Sequence, residues 1–191
     1  MNTAAQPSVF LLLGSNMGNR MQLLERACSL LQQAGVWVER QSSVYETAPW
    51  GFEAEQNFLN MALQVRTPLA PLRLLQAAQQ VERQLGRTRA LGAGYASRTI
   101  DVDILLYGGE VVAEPLLAIP HPRLHERRFA LAPLAEIAPE FVHPTLQKTV
   151  AQLLRECSDA GSVWVSDCRV GAGLKPAHND DKNPNGVLRA C

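Results

Sequence analysis

Apolar residues alternate with polar ones at a period of two in some stretches and recur every three or four residues in others. The switches between these periods predict the elements. The run Val9, Phe10, Leu11, Leu12, Leu13 ahead of Gly14-Ser15-Asn16 predicts a buried strand closing in a tight turn. Leu23, Leu24, Ala27, Leu30 and Leu31 then recur at helical spacing across 19–34, and Gly35 supplies the stop. Residues 36–47, richer in β-branched side chains, predict a second strand; a loop with Ala48, Pro49, Trp50, Gly51 and Phe52 follows. Over 58–65 the alternation is cleanest, with Leu59, Met61, Leu63 and Val65 facing one way and Phe58, Asn60, Ala62 and Gln64 the other. Thr67-Pro68 opens a second helix whose core stripe is Leu74, Leu75, Ala78, Val81 and Leu85, ended by Gly86. Residues 87–97 are rich in Arg and Gly and predict a mobile loop. A strand over 98–107 follows, then an extended, proline-bearing stretch over 111–124 and short helices near 129–137 and 146–156.

The predicted order is strand, helix, strand, strand, helix, strand. Strands joined by a modest loop pair antiparallel and the crossover helices cover one face, which is a ferredoxin-like α+β arrangement. Residues 1–157 are expected to form this domain. Residues 158–191, with Gly, Asp, Asn, Lys and Pro concentrated at 178–186, are expected to be a flexible tail without chemistry.

Composition narrows the function classes. At 191 residues with 47% hydrophobic side chains, the chain can bury one substantial core. Eighteen basic and 18 acidic side chains give zero net charge, which disfavours nucleic acid and membrane surfaces as partners. Cys28, Cys157, Cys168 and Cys191 show no CxxC spacing, so reduced thiols in the cytoplasm are expected. The apolar run at 9–13 is too short for a signal core or a membrane span.

The candidate chemistry sits in Arg98-Thr99-Ile100-Asp101-Val102-Asp103-Ile104-Leu105-Leu106-Tyr107. Alternation buries Ile100, Val102, Ile104 and Leu106 on one face and sets Asp101 and Asp103 together on the other. Side chains two apart on a strand stand roughly 6–7 Å from each other, close enough to converge on hard cations. Asp is disfavoured in strands, and a neighbouring pair repels unless something positive intervenes. A half-exposed polar strand face is the plain alternative. Arg87, Arg89 and Arg98, with Arg127, His121 and His125 further on, favour metal-assisted phosphoryl chemistry instead, while Arg123 and Arg128, taken singly, read as solvated surface arginines. Gly14-Ser15-Asn16-Met17-Gly18-Asn19 is neither a P-loop nor GxGxxG, and reads as a turn in which Asn16 or Asn19 caps the helix.

The chain resembles the 6-hydroxymethyl-7,8-dihydropterin pyrophosphokinases. The resemblance is carried by Leu13-Gly14-Ser15-Asn16, Ser42-Ser43-Val44-Tyr45-Glu46-Thr47, Phe58-Leu59-Asn60, and Glu82 with Gly86-Arg87. It continues through the Asp strand, Ile119-Pro120-His121-Pro122-Arg123, and Arg127 with Phe129-Ala130-Leu131-Ala132-Pro133-Leu134. It implies transfer of diphosphate from ATP to the hydroxymethyl group of a reduced pterin in folate biosynthesis, by a monomer. It further implies that Asp101 and Asp103 bind two Mg²⁺ ions, that Glu82, Arg89, Arg98, Ile104, His121 and Arg127 contact ATP, and that Arg87 and Arg98 act with the aspartates in catalysis. For the pterin it implies Thr47, Ala48, Trp50 and Asn60, with Phe58 and Phe129 as a stacking sandwich. Many members carry Trp-Gly-Pro before the Arg of the Asp strand, whereas this chain has Gly94-Tyr95-Ala96-Ser97. Two other classes compete: a two-metal phosphodiesterase or nuclease, and a non-catalytic ferredoxin-like binding module.

Overall fold

The computed structural model describes residues 7–49, 54–87 and 97–167. Strand β1 (Val9–Ser15) is buried along its whole length and pairs antiparallel with β4 (Phe58–Arg66) on one side and β5 (Asp101–Tyr107) on the other. A strand covered on both faces needs no polar alternation, which is why 9–13 reads as an unbroken apolar run. Val9, Leu11 and Leu13 enter one core, and Phe10 and Leu12 enter the other.

Helices α1 (Arg20–Gln33) and α2 (Pro71–Gln84) are the crossovers, and they pack on one face as expected. Leu24, Ala27 and Leu31 of α1 and Leu74, Ala78 and Val81 of α2 meet Leu11, Leu13, Leu59, Met61, Leu63 and Val65. Asn19 caps α1 by accepting from the Gln22 N–H at 3.1 Å. Gly35 and Gly86 close the two helices at φ +80° and +83°, a conformation that glycine adopts without strain. The opposite face is covered by α3 (Arg128–Ile137) and α4 (Val150–Glu156). There Leu131, Leu134, Ile137, Val150 and Leu153 pack on Phe10, Leu12, Ala62, Leu105 and Leu106. The sheet is therefore the middle of three layers.

Several expectations need correction. The strand expected over 36–47 is two strands, β2 (Trp37–Gln41) and β3 (Tyr45–Thr47), both paired with β4. Between them the Ser42 hydroxyl takes the Ala62 N–H at 3.0 Å, while Ser43 turns away toward α3. Leu106 does not share a face with Ile100, Val102 and Ile104. The register slips where Phe10 faces Leu106 and Leu11 faces Ile104, so Leu105 is an extra residue. Leu105 and Leu106 both join the α3/α4 core, and Tyr107 returns to the other. The extended stretch over 111–124 contains a small hairpin, β6 (Val112–Glu114) with β7 (Leu117–Ile119). Helix α4 starts at Val150 rather than 146, because Thr149 and Gln152 form a reciprocal capping box.

The chain past Cys157 also differs from expectation. Val163–Val165 forms β8, which extends the sheet beyond β3 in the order β5-β1-β4-β3-β8. Residues 168–191, the rest of the expected tail, lie outside the described residues.

Candidate active site

Asp101 and Asp103 lie on the face of β5 opposite Ile100, Val102 and Ile104. Across the ladder, Asp101 stands beside Gly14 and Asp103 beside Leu12. Their side chains keep 19% and 30% of their surface exposed, so both remain reachable at the end of an otherwise sealed sheet. Arg87 and Arg98 both pair with the Asp101 carboxylate, and Arg127 Nη1 lies 3.8 Å from Asp103 Oδ2. Burial pushes the Asp101 carboxyl up, but the Arg98 and Arg87 guanidiniums outweigh it and hold the group below its usual range. Burial and the Asp101 charge push Asp103 up to about 7, against the opposing pull of Arg127 and Arg98. The two carboxylates thus have unlike environments, with two arginines paired to Asp101 and one standing farther off from Asp103.

Elements on both sides of the sheet hold this cluster. Glu82 reaches from α2 to accept the Val102 N–H at 3.0 Å and also pairs with Arg87; its burial pushes its carboxyl up. Asn16, at the end of β1, accepts the Arg98 N–H at 2.8 Å and donates to Ser97 Oγ at 3.0 Å. Its own N–H reaches Arg98 O at 3.2 Å, so Asn16 fixes the start of the Asp segment instead of capping α1. His121 donates its N–H to Leu105 O at 2.9 Å. Its ring lies between the Arg123 N–H at 3.2 Å and Arg127 Nη1 at 3.3 Å. Burial and the Arg127 charge lower the imidazole to about 4, so the ring is neutral near pH 7. Arg123 pairs with Glu126 at the surface, as expected of a solvated arginine. Arg128, also expected to be solvated, instead donates its Nε to Asp159 O at 2.9 Å.

Two strands away, the same face changes character. Asn60 donates to Thr47 Oγ1 at 2.7 Å, and both residues are almost fully buried. Half-buried Phe58 sits one residue pair along β4 on this face, and half-buried Phe129 stands in the first turn of α3. Gly14 lies between Asn60 and Asp101 in the ladder, and a Cβ there would come within 2.9 Å of Asn60 Oδ1 and 3.9 Å of the Phe58 ring. The bare glycine keeps the space between the amide reader and the carboxylates open. Glu136 of α3 accepts the Ser43 N–H at 2.9 Å, the Ser43 hydroxyl at 3.0 Å and the Tyr45 hydroxyl at 2.9 Å. That one carboxylate fastens α3, which carries Phe129, to the strand that carries Thr47.

Of the residues singled out in the sequence, Asp101, Asp103, Arg87, Arg98, Glu82, His121 and Arg127 gather around β5. Thr47, Phe58 and Asn60 gather at the second cluster, with Ala48 exposed beside Thr47, while the Phe129 ring lies 5.5 Å under the Arg127 guanidinium. Ile104 is 4% exposed and faces the α1/α2 core, which leaves only its main chain for a nucleotide. Trp50 and Arg89 lie outside the described residues. Sequence reasoning passed over Glu136 and the bonding of Asn16, whose partners are remote in the chain; an acid on the apolar stripe of a short helix was the available signal for Glu136.

Comparison with known proteins shows the family. The family model described as 7,8-dihydro-6-hydroxymethylpterin-pyrophosphokinase (HPPK) matches residues 10–139. The chain is 50% identical over 129 residues to the 2-amino-4-hydroxy-6-hydroxymethyldihydropteridine pyrophosphokinase of Bacillus subtilis (strain 168), covering 67% of this chain and 76% of that one. It is 41% identical over 149 residues to the protein of the same name from Aquifex aeolicus (strain VF5), covering 78% and 91%. A crystal structure of an HPPK-DHPS in complex with substrates superposes with a TM-score of 0.66 at 15% identity, over 80% of this chain and 43% of that longer chain. Plasmodium falciparum HPPK-DHPS superposes at 0.64 and 17%, over 82% of this chain and 45% of that one, and the two structures establish a shared ferredoxin-like fold. The carboxylate pair, its arginines and the Asn60–Thr47 pair are thus borne by a chain that belongs to the 7,8-dihydro-6-hydroxymethylpterin-pyrophosphokinase family.

Proposed function

We propose that this protein transfers the diphosphate of ATP to 6-hydroxymethyl-7,8-dihydropterin, releasing AMP, as a step of folate biosynthesis. The observation that carries the reading is one sheet face with Asp101 and Asp103 at one end and the Asn60–Thr47 pair near Phe58 and Phe129 at the other. In our reading the triphosphate lies along β5 against Arg87, Arg98 and Arg127. The pterin lies over Asn60 between the two phenylalanines, and its hydroxymethyl oxygen meets the β-phosphorus above Gly14. Arginine suits the task because its planar, permanently charged fork matches phosphate oxygens.

Two Mg²⁺ ions fit the carboxylates by chemistry. Among the described residues no group of three or more His, Cys, Asp or Glu gathers as a metal cage. The chain offers two hard oxygen ligands and leaves the remaining coordination to phosphate and water, the mode Mg²⁺ favours. An added cation would relieve the repulsion between two carboxylates set side by side on one strand face. Bound there, Mg²⁺ would neutralise phosphate charge and polarise the attacked phosphorus. The chain's own residues bind and align: Asn60 and Thr47 orient the pterin edge, the arginines hold the phosphates in line, and the buried floor excludes water.

The described site is assembled from a single chain, so a monomer suffices. No helix among the described residues is long and apolar enough to cross a membrane. We read its location as cytoplasmic, a compartment that supplies ATP. The test is to mix protein, Mg²⁺, ATP and hydroxymethyldihydropterin and resolve nucleotides by chromatography. AMP should appear only when the pterin alcohol is present. AMP released at the same rate without it would make water the acceptor and the protein a hydrolase.

A further inference from the structure

Among the described residues past α4, 158–167 bury little apolar surface, yet they are tied at both ends to elements that border the site read above as the pterin's. Asp159 Oδ2 accepts the N–H of Arg128, the first residue of α3, at 3.0 Å, and Asp159 O accepts Arg128 Nε at 2.9 Å. Asp159 Oδ1 takes the Gly161 N–H at 2.9 Å, which shapes the turn into β8. Val163, Trp164 and Val165 then pair with Thr47, Glu46 and Tyr45. Ser162 O accepts the Ala48 N–H at 3.4 Å, and the Ser166 N–H donates to Val44 O at 2.8 Å. Trp164 and Val165 remain 44% and 56% exposed, so hydrogen bonds rather than a hydrophobic core hold the segment down.

Both attachment points border the site read above as the pterin's. Arg128 precedes Phe129, and Thr47 carries the hydroxyl that Asn60 binds. The carboxylate end has anchors of its own: Asp103 stands three strands away on β5, and Arg127, which also stacks 5.5 Å over the Phe129 ring, is held by Asp103 and His121. The segment lies outside residues 10–139, the part matched by the family model.

We infer that residues 159–165 act as a strap that helps set the spacing between the Thr47 strand and the Phe129 helix, so that Asp159 and the main chain at Trp164 are positioning elements for pterin affinity more than for ATP affinity. The inference rests on the reading of the Asn60–Phe129 cluster as the pterin site. A stacking sandwich tolerates little drift in the distance between its two faces, so a slack strap weakens the pterin first.

Steady-state kinetics of the full chain test it, with each substrate varied at saturation of the other and melting followed in parallel. Asp159→Ala and Trp164→Pro should raise KM for the pterin about tenfold while KM for ATP stays within about twofold. Asp159→Asn keeps one of the two carboxylate acceptors, so it should recover part of the loss and no more. Trp164→Ala keeps the main-chain donor and should also behave as wild type. If the wild type forms AMP with pterin but Asp159→Ala and Trp164→Pro leave the pterin KM unmoved, the strap is overturned and the site stands. Equal losses toward both substrates, in step with a lowered Tm, would likewise overturn it, as a merely structural role. No pterin-dependent AMP from the wild type would overturn both readings.

Discussion

Gly14 is flanked in the ladder by Asp101 on one strand and Asn60 on the other, where the proposed phosphate and pterin sites adjoin. A methyl group at this position would stand 2.9 Å from Asn60 Oδ1, inside contact distance of a buried side chain that is already bonded to Thr47. Forcing atoms into a packed site costs about 1–3 kcal/mol. Gly14→Ala is therefore expected to weaken pterin binding about tenfold or more in a fluorescence titration. Unaltered pterin affinity would show that the gap is not used. His121 gives a pH test. Its folded value is lowered to about 4, while an unfolded histidine titrates near 6.5. Above pH 6.5 both states are neutral and the contribution to stability is complete; as pH falls from 6.5 toward 4 the unfolded chain takes up the proton first and stability declines. The His121 ring should thus keep its neutral NMR shifts at pH 5.5, and a midpoint near 6.5 would contradict the burial. At this scale the Asp pair was legible because two charged residues on an otherwise apolar strand conflict with local preference. Asn16 was not: local sequence offers it a helix to cap, whereas its partners Ser97 and Arg98 lie more than eighty residues away.

Elements whose period was clean came through intact, among them β4 and the two crossover helices with their glycine stops. The failures share one physical cause: a hydrogen bond or bulge supplied from elsewhere in the chain resets a local pattern. Ser42 and Glu136 break the 36–47 stretch into two strands, and the extra residue in β5 sends Leu106 to the face opposite that of Ile104. Strand β8 was invisible because three residues, two of them exposed, carry no periodic signal without the β3 edge they pair with. Helix α4 shows the converse, a start set by local chemistry alone. Its reciprocal Thr149–Gln152 cap satisfies two donors, so Thr149→Ala should cost about 1 kcal/mol in urea unfolding. The KM values should not change, because none of the site side chains comes from α4. No loss of stability would mean the cap is redundant, and a shifted KM would mean α4 reaches the site.

For the whole molecule, zero net charge conceals a sharp internal division. One core between the sheet and α1/α2 is almost wholly apolar. The opposite face is apolar only under α3 and α4, and at the Gly14 end it gives way to carboxylates, guanidiniums and an amide. The three-layer build explains how charged groups can stand on a buried sheet without destabilising it: each is tied to a partner, Glu82 to the Val102 N–H, the Arg98 guanidinium to Asp101, Arg127 to His121. The decisive measurement is AMP production as a function of Mg²⁺ concentration for the wild type, Asp101→Ala and Asp103→Ala, with circular dichroism to confirm that each is folded. Turnover should be absent in EDTA and rise saturably with Mg²⁺, and each variant should lose about 10²–10³-fold or more in kcat. EDTA-resistant turnover, or a folded variant within about threefold of wild type, would contradict a catalytic centre built on these two carboxylates.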